Sequence, residues 1–271
     1  MFGIKRGITN NMIKRTFWIK KINEAWKEKS LIWLSGVRRI GKTFLCRSLG
    51  EVEYFDCELI RTRRKIEDPE AFLRSLGKKK TIILDEIHRL NNPSEVLKIA
   101  ADYFTNIKII ATGSSSLGAS KKFKDTLTDR KVNLWLPPMI LEDLSDFKNE
   151  KIEHRLLHGG LPPFFMSEEI PEKDFQGWID DYWAKDIQEL FRLMNRACFQ
   201  KFTELLFMQS GGIFEATRFP KPFEVSRTAI NKYLKVLEET YVVHVIKPFS
   251  SYKPTEIISV PKVYAFDTRF I

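Results

Sequence analysis

The chain has 271 residues, 43% of them hydrophobic, which is enough for one large domain or two small ones with buried cores. Its 45 Lys and Arg against 35 Asp and Glu leave a formal net charge of +10, a balance that suits a polyanionic partner. Three widely spaced cysteines, Cys46, Cys57 and Cys198, offer neither a disulfide framework nor metal-ligand spacing. No apolar run reaches the roughly 18 residues of a membrane span, and the basic start is not followed by a secretory apolar segment. The expectation is a soluble cytoplasmic protein with no membrane partner.

Residues 1–30 carry eight Lys or Arg against two Glu. Phe17, Ile19, Ile22 and Trp26 are spaced to line one face of a helix, so the charges read as a solvated face or as nucleic-acid contacts. The apolar run Leu31-Ile32-Trp33-Leu34 then leads into Gly36-Val37-Arg38-Arg39-Ile40-Gly41-Lys42-Thr43, and a helix-like run continues through Phe44 to Leu49. G-x-x-x-x-G-K-T between a strand and a helix is the pattern of a phosphate-binding P-loop. Gly36 and Gly41 permit left-handed backbone, which turns successive N–H groups into one anion-sized hollow. The helix start adds its positive end to the same hollow. Residues 36–44 are therefore the candidate nucleotide contacts. Lys42 is aimed at the β- and γ-phosphates and the Thr43 hydroxyl at Mg²⁺.

Val52 to Asp56 alternates like a second strand, and Asp68-Pro69-Glu70 starts a helix closed by Gly77. Lys78-Lys79-Lys80 reads as a solvated connection. Thr81-Ile82-Ile83-Leu84-Asp85-Glu86 is a strand ending in two acids, its unbroken apolar run suited to burial on both faces. Some forty residues after a P-loop, Asp85 is placed to hold Mg²⁺ through water and Glu86 to activate the attacking water. A helix starts at Asn92-Pro93-Ser94-Glu95 and runs to about Phe104. The fourth strand, Ile107 to Ala111, ends in Thr112-Gly113-Ser114-Ser115-Ser116. Thr112 and Ser114 either contact the γ-phosphate or the water, or belong to a plain Ser/Gly turn. After the basic stretch Lys121–Lys131 comes a fifth strand, Val132 to Leu136. Arg130, just before it, is either an arginine finger for a neighbouring subunit or a surface arginine. Alternating strands and helices over 30–137 predict an α/β fold with a mainly parallel sheet and its ligand at the strands' carboxyl ends.

From about Leu141 the pattern turns helical, over 174–194 and 199–209. Val225 to Leu237 resembles a capped helix with Ile230, Leu234 and Leu237 facing a core. Tyr241–Pro248 and Ile257–Phe266 are strand-like. Helix, helix and two strands in that order suggest a winged helix, with Arg227, Thr228, Asn231, Lys232 and Lys235 as candidate DNA contacts. Such modules also serve as protein contacts, and both readings stay open. The expected division is 1–140 P-loop domain, 141–195 helical lid or linker, and 196–271 winged-helix-like.

The G-x-R-R-x-G-K-T loop, the strand Ile82 to Glu86 and Thr112-Gly113-Ser114-Ser115 resemble the prokaryotic AAA-type ATPases with a C-terminal DUF4143 region. The likeness continues in His158-Gly159-Gly160-Leu161-Pro162, in Tyr182 to Leu190, in Val225 through Tyr241 and in Pro261 to Thr268. It implies ATP with Mg²⁺, and a sheet in which the strand before Thr112 lies between the P-loop strand and the Asp85 strand. It also implies that Asp85 is the Walker B aspartate, Glu86 the catalytic glutamate and Ser114 or Thr112 the sensor. The family's Gly-Arg segment corresponds to Asp129-Arg130, keeping the arginine only. Family members extend beyond the Phe-Asp-Thr-Gly segment, where this sequence has Arg269 and stops at Ile271. The reading at this point is a truncated chain with an uncovered apolar edge at Phe270-Ile271.

The leading expectation is a Mg²⁺-dependent ATPase, catalysed by Lys42 and Glu86 with Arg130 of a homo-oligomeric neighbour, that couples ATP to a DNA-associated winged-helix module. The alternative is a nucleotide-regulated switch with negligible turnover. A folded but inactive remnant is the third.

Overall fold

The computed structural model describes residues 13–77, 81–115, 127–169, 172–191, 193, 195–219, 225–252, 254, 256 and 259–271. Residues 1–12, Lys78–Lys80, Ser116, most of the basic stretch 121–131, Met194 and Ile257, about which expectations were formed, lie outside the described residues.

Helix α1 (Thr16–Glu28) precedes β1 (Leu31–Ser35), which leads through the loop 36–41 into α2 (Lys42–Arg47). Next come β2 (Glu53–Asp56), α3 (Ile60–Lys65), α4 (Pro69–Ser75) and β3 (Thr81–Asp85). Helix α5 (Pro93–Tyr103), β4 (Lys108–Gly113) and β5 (Lys131–Trp135) complete this part. Among the described residues the five strands form one parallel sheet in the order β2-β3-β4-β1-β5. The strand before Thr112 therefore lies between the P-loop strand and the Asp85 strand, as the resemblance implied.

Both faces of the inner strands β1, β3 and β4 are covered, which is why these three read as nearly unbroken apolar runs, whereas the edge strands β2 and β5 do not. Alternate residues of β1 divide between the faces: Ile32 and Leu34 pack with Trp18 and Ile22 of α1, whereas Leu31 and Trp33 pack with Phe72 and Leu73 of α4 and Leu97 of α5. Asp68 caps α4, accepting from the Ala71 N–H at 2.9 Å, with Pro69 in the first helical position. Helix α3 was not anticipated. Its sequence IRTRRK buries only Thr62 and offers no apolar stripe to read.

The second half begins with α6 (Leu141–Asp146), α7 (Ile152–His158) and α8 (Pro162–Phe165). Then α9 (Glu172–Tyr182) passes through a π turn (Trp183–Ile187) into α10 (Gln188–Phe191). Helices α11 (Arg196–Met208) and α12 (Arg227–Glu239) are followed by an antiparallel pair, β6 (Val243–Ile246) and β7 (Lys262–Ala265). Ser226 caps α12 by accepting from the Ala229 N–H at 3.1 Å. Among the described residues no helix is long and apolar enough to cross a membrane.

The C-terminal elements share one hydrophobic core with the α1 face of the sheet. Trp178 is fully buried, its rings 5.3 Å from Phe266 and 4.9 Å from Phe270. Burial of each such side chain contributes about 1.5–3 kcal/mol, and aromatic packing adds to that. The expectation of an uncovered strand edge at Phe270 is corrected here: residues Thr268–Phe270 form a 3₁₀ turn and Phe270 is buried. Only Ile271 is exposed. Phe270 packs on Phe266 four residues before it and on Phe164, Phe175, Trp178 and Phe207, which come from helices distant in sequence and gave its covering little local signal.

Buried polar contacts fix the second half of the chain, one to the first half and another within it. The Arg15 guanidinium forks onto Asp143 of α6 at 2.8 and 2.6 Å and donates to the Ile40 carbonyl of the loop at 3.1 Å. Asp267, after β7, accepts from the Gly160 N–H at 2.6 Å and the Arg269 N–H at 3.0 Å. Gly159 adopts φ 77° and ψ −176°, and a Cβ there would lie 2.4 Å from Asp267 Oδ1. The Gly-Gly and Phe-Asp-Thr segments noted in the sequence are thus the two sides of one contact.

Candidate nucleotide-binding site

The loop 36–41 leaves the carboxyl end of β1 and bends sharply. Gly36 (φ 154°) and Gly41 (φ 96°) both take positive φ, and a Cβ on Gly36 would lie 2.5 Å from the Leu136 carbonyl oxygen. Arg39 also adopts a left-handed conformation, at φ 64°. Among the described residues, the N–H groups of Gly41, Lys42, Thr43 and Phe44 donate no hydrogen bond within the chain. These are donors that a helix start leaves available, gathered beside a positive helix end. Phe44, beside them, is 67% exposed.

Lys42 is buried, and its ammonium donates to the carbonyls of Gly36 at 2.7 Å and Val37 at 3.2 Å. Burial pulls its pKa down, opposed by the carboxylates of Glu86, Asp186 and Asp85.

Three hydroxyls converge on Asp85 at the end of β3. Thr43 Oγ1 donates to Oδ2 at 2.9 Å, Tyr54 of β2 donates to the same oxygen, and Thr112 of β4 donates to Oδ1. Burial, and then the bond to Asp85, raise the Tyr54 pKa. The Thr112 hydroxyl also accepts from the Glu86 N–H at 3.0 Å. One threonine therefore fixes both acids.

Glu86 itself takes a left-handed conformation (φ 51°, ψ 48°) and its carboxylate lies 3.3 Å from His88 Nδ1. Burial pushes its pKa up to about 7; Lys42 opposes this, and Asp186 and Asp85 reinforce it. An acid at the end of a strand with a pKa near neutrality has the properties of a general base.

The structure brings together most of the residues that the sequence pointed to: Lys42, Thr43, Asp85, Glu86 and Thr112. Ser114 joins them differently, since its hydroxyl donates to Asp186 of the π turn. Arg130 stands apart. It precedes β5, beside the amino end of β1, and donates to Asp102 of α5 at 2.7 Å. The ligand side of a parallel sheet is at the opposite, carboxyl end of its strands, so Arg130 is not part of this chain's own site. Arg227, Thr228, Asn231, Lys232 and Lys235 are all exposed along α12, opposite its buried Ile230, Tyr233, Val236 and Leu237.

Sequence reasoning missed Tyr54 and Asp186. Tyr54 sits in an alternating strand, where a tyrosine reads as packing. Asp186 lies within the Tyr182–Leu190 segment that carried part of the family likeness, with nothing local to show its target.

A parallel sheet of this order with a loop of this shape defines the class of P-loop nucleoside-triphosphatases. More narrowly, residues 28–145 match the AAA_14 family model, described as an AAA domain. Residues 149–269 match a domain of unknown function, DUF8612, not the expected DUF4143. Among solved structures, the chain is similar to the Walker-type ATPase PABY2304 of Pyrococcus abyssi, with 15% identity and a TM-score of 0.58. That likeness spans 95% of this chain and 94% of the other, and shows a shared fold. The AMPPCP-bound DnaA of Aquifex aeolicus is a fainter match, at 11% identity, 86% and 89% coverage and a TM-score of 0.41. No curated protein matches the sequence.

Proposed function

We propose that the chain binds Mg²⁺–ATP on residues 36–44 and hydrolyses it. The observation that carries this reading is the meeting of Lys42, Thr43, Asp85, Glu86 and Thr112 at the carboxyl ends of β1, β3 and β4. The residues fit the ligand: available amides at a helix start, a buried lysine, and a carboxylate within 2.9 Å of a threonine hydroxyl. Thr43 and Asp85 would hold Mg²⁺, which when bound offsets charge on the phosphates.

The chain's own residues do the rest. The amides of 41–44 and Lys42 stabilise negative charge growing on the phosphoryl oxygens. Glu86, with a pKa of about 7, accepts the proton of the attacking water. Thr112 keeps the backbone of Glu86 and the side chain of Asp85 in fixed relation. Arg130, outside its own site, serves catalysis only as a residue offered to a neighbouring copy in a homo-oligomer.

The deciding variant is Glu86→Gln. Retained ATP binding with loss of phosphate release supports the ATPase. Phosphate release at background in both proteins, with ATP binding intact, supports instead a switch that turns over negligibly.

A second reading concerns the partner of 196–271. The order α11, α12, β6, β7 and the exposed polar face of α12 favour a winged-helix-like module that contacts DNA phosphates through Arg227, Lys232 and Lys235. Duplex binding measured against salt tests it, since each lysine removed should lower the slope of log K against log salt by about one. Binding that ignores Lys232→Ala and Lys235→Ala would remove this face of α12 from the DNA contact.

A further inference from the structure

Asp186 ties the second half of the chain to the phosphate loop. It is 1% exposed, and its two carboxylate oxygens serve different elements. Oδ2 accepts from Arg38 Nε at 2.6 Å, and Oδ1 accepts from the Ser114 hydroxyl just after β4. Two further contacts flank the pair. Trp178 Nε1 donates to the Arg38 carbonyl at 3.3 Å, and Arg39 pairs with Asp181 at 2.5 Å. Trp183, Asp186 and Ile187 are all buried within the π turn Trp183–Ile187, and such turns interrupt α-helices frequently at functional positions.

Arg38 and Ser114 are donors that the phosphate loop and the end of β4 present on the ligand side of the sheet. Here both are engaged by a carboxylate, an anion with oxygens spaced like those of a phosphoryl group. We infer that Asp186 stands in for the terminal phosphate of a nucleoside triphosphate, so that a triphosphate, but not a diphosphate, displaces it from Arg38 and Ser114. The inference rests on the nucleotide-binding reading above.

Two physical arguments favour exchange over coexistence. Two anions sharing one guanidinium at contact distance repel each other. An Arg38 stripped of its buried partner with nothing in return is costly, so Asp186 leaves only when another anion arrives. Helix α9, the π turn and α10 then have two arrangements, one anchored and one released, and the third phosphate selects between them. Asp186 is in this sense a specificity-determining residue rather than a catalytic one.

The test compares Mg²⁺–ATPγS with Mg²⁺–ADP on the full chain. In the wild type, hydrogen exchange of the amides in 178–191 should quicken with ATPγS and stay unchanged with ADP. By titration calorimetry, Asp186→Asn should raise the ATPγS-over-ADP affinity ratio by about tenfold, or about 1.4 kcal/mol, because the triphosphate no longer competes with a carboxylate. Asp186→Glu, which restores the charge, should bring the ratio back toward the wild-type value. Equal exchange with both nucleotides and an unchanged ratio in Asp186→Asn would overturn the inference while leaving nucleotide binding intact. If Asp186→Asn does not fold, the wild-type exchange comparison decides alone. A wild type that binds neither nucleotide overturns the underlying reading and this inference with it.

Discussion

Thr43 Oγ1 donates to Asp85 Oδ2 over 2.9 Å, closing a gap of 42 positions in sequence. The hydroxyl and the carboxylate belong to different strand–loop units, and only the order β3-β4-β1 in the sheet brings them together. The same carboxylate also receives Tyr54 and Thr112, so its orientation is fixed before any ligand arrives.

That arrangement predicts a metal-specific defect in Asp85→Asn. ATP affinity should depend on Mg²⁺ in the wild type and lose about ten- to a hundredfold of that dependence in the variant. Titrations with Mg²⁺ and with excess EDTA measure it. An equal Mg²⁺ effect in both proteins would remove Asp85 from the metal site.

Glu86 makes a prediction about pH and stability. Its pKa of about 7 in the fold lies above the ordinary value of 4.5, so between these values the folded chain holds the proton more tightly than the unfolded one. Its contribution is complete below pH 4.5 and is lost as pH rises through 7, at a cost of about 3 kcal/mol. Glu86→Gln, which never ionises, should therefore melt higher than the wild type at pH 8 and close to it at pH 4.5. Parallel melting curves at both pH values would contradict the shift.

Gly159 holds a backbone conformation almost confined to glycine, and its Cα faces Asp267. Gly159→Ala should cost about 1–3 kcal/mol, read from urea unfolding. An unchanged midpoint would mean that the 159–160 segment and Asp267 separate without penalty.

The Arg15–Asp143 fork is buried at both ends, its side chains 4% and 0% exposed. Asp143→Ala leaves Arg15 charged and unpaired beside the Ile40 carbonyl, and should destabilise by about 3–5 kcal/mol. The double variant Arg15→Met, Asp143→Ala should recover part of that loss. A double variant worse than the single would show that the pair does more than neutralise one charge.

The sheet was legible because strands buried on both faces must be apolar throughout, and Asp68-Pro69 and Asn92-Pro93 announce helix starts in local chemistry. The P-loop was legible because its glycines are forced by geometry that no other residue meets cheaply. What stayed hidden depends on distant partners. Asp186 reads as one acid among several on a helix until the fold sets it against Arg38, 148 positions away. Arg130 carried a suggestive position, but the direction of β5 puts it at the wrong end of the sheet for its own site. Phe270 looked like an uncovered end, and apart from Phe266 the aromatic side chains that bury it, Phe164, Phe175 and Phe207 among them, are contributed by helices far earlier in the chain.

The most direct test of the nucleotide site is thermal unfolding with and without Mg²⁺–ATP, on the wild type and on Lys42→Ala. Ligand at a hundred times its dissociation constant should add about 2.7 kcal/mol to the wild type, raising the midpoint by several degrees. The account predicts that shift in the wild type and its loss in Lys42→Ala. An equal shift in both proteins, or none in either, would contradict it.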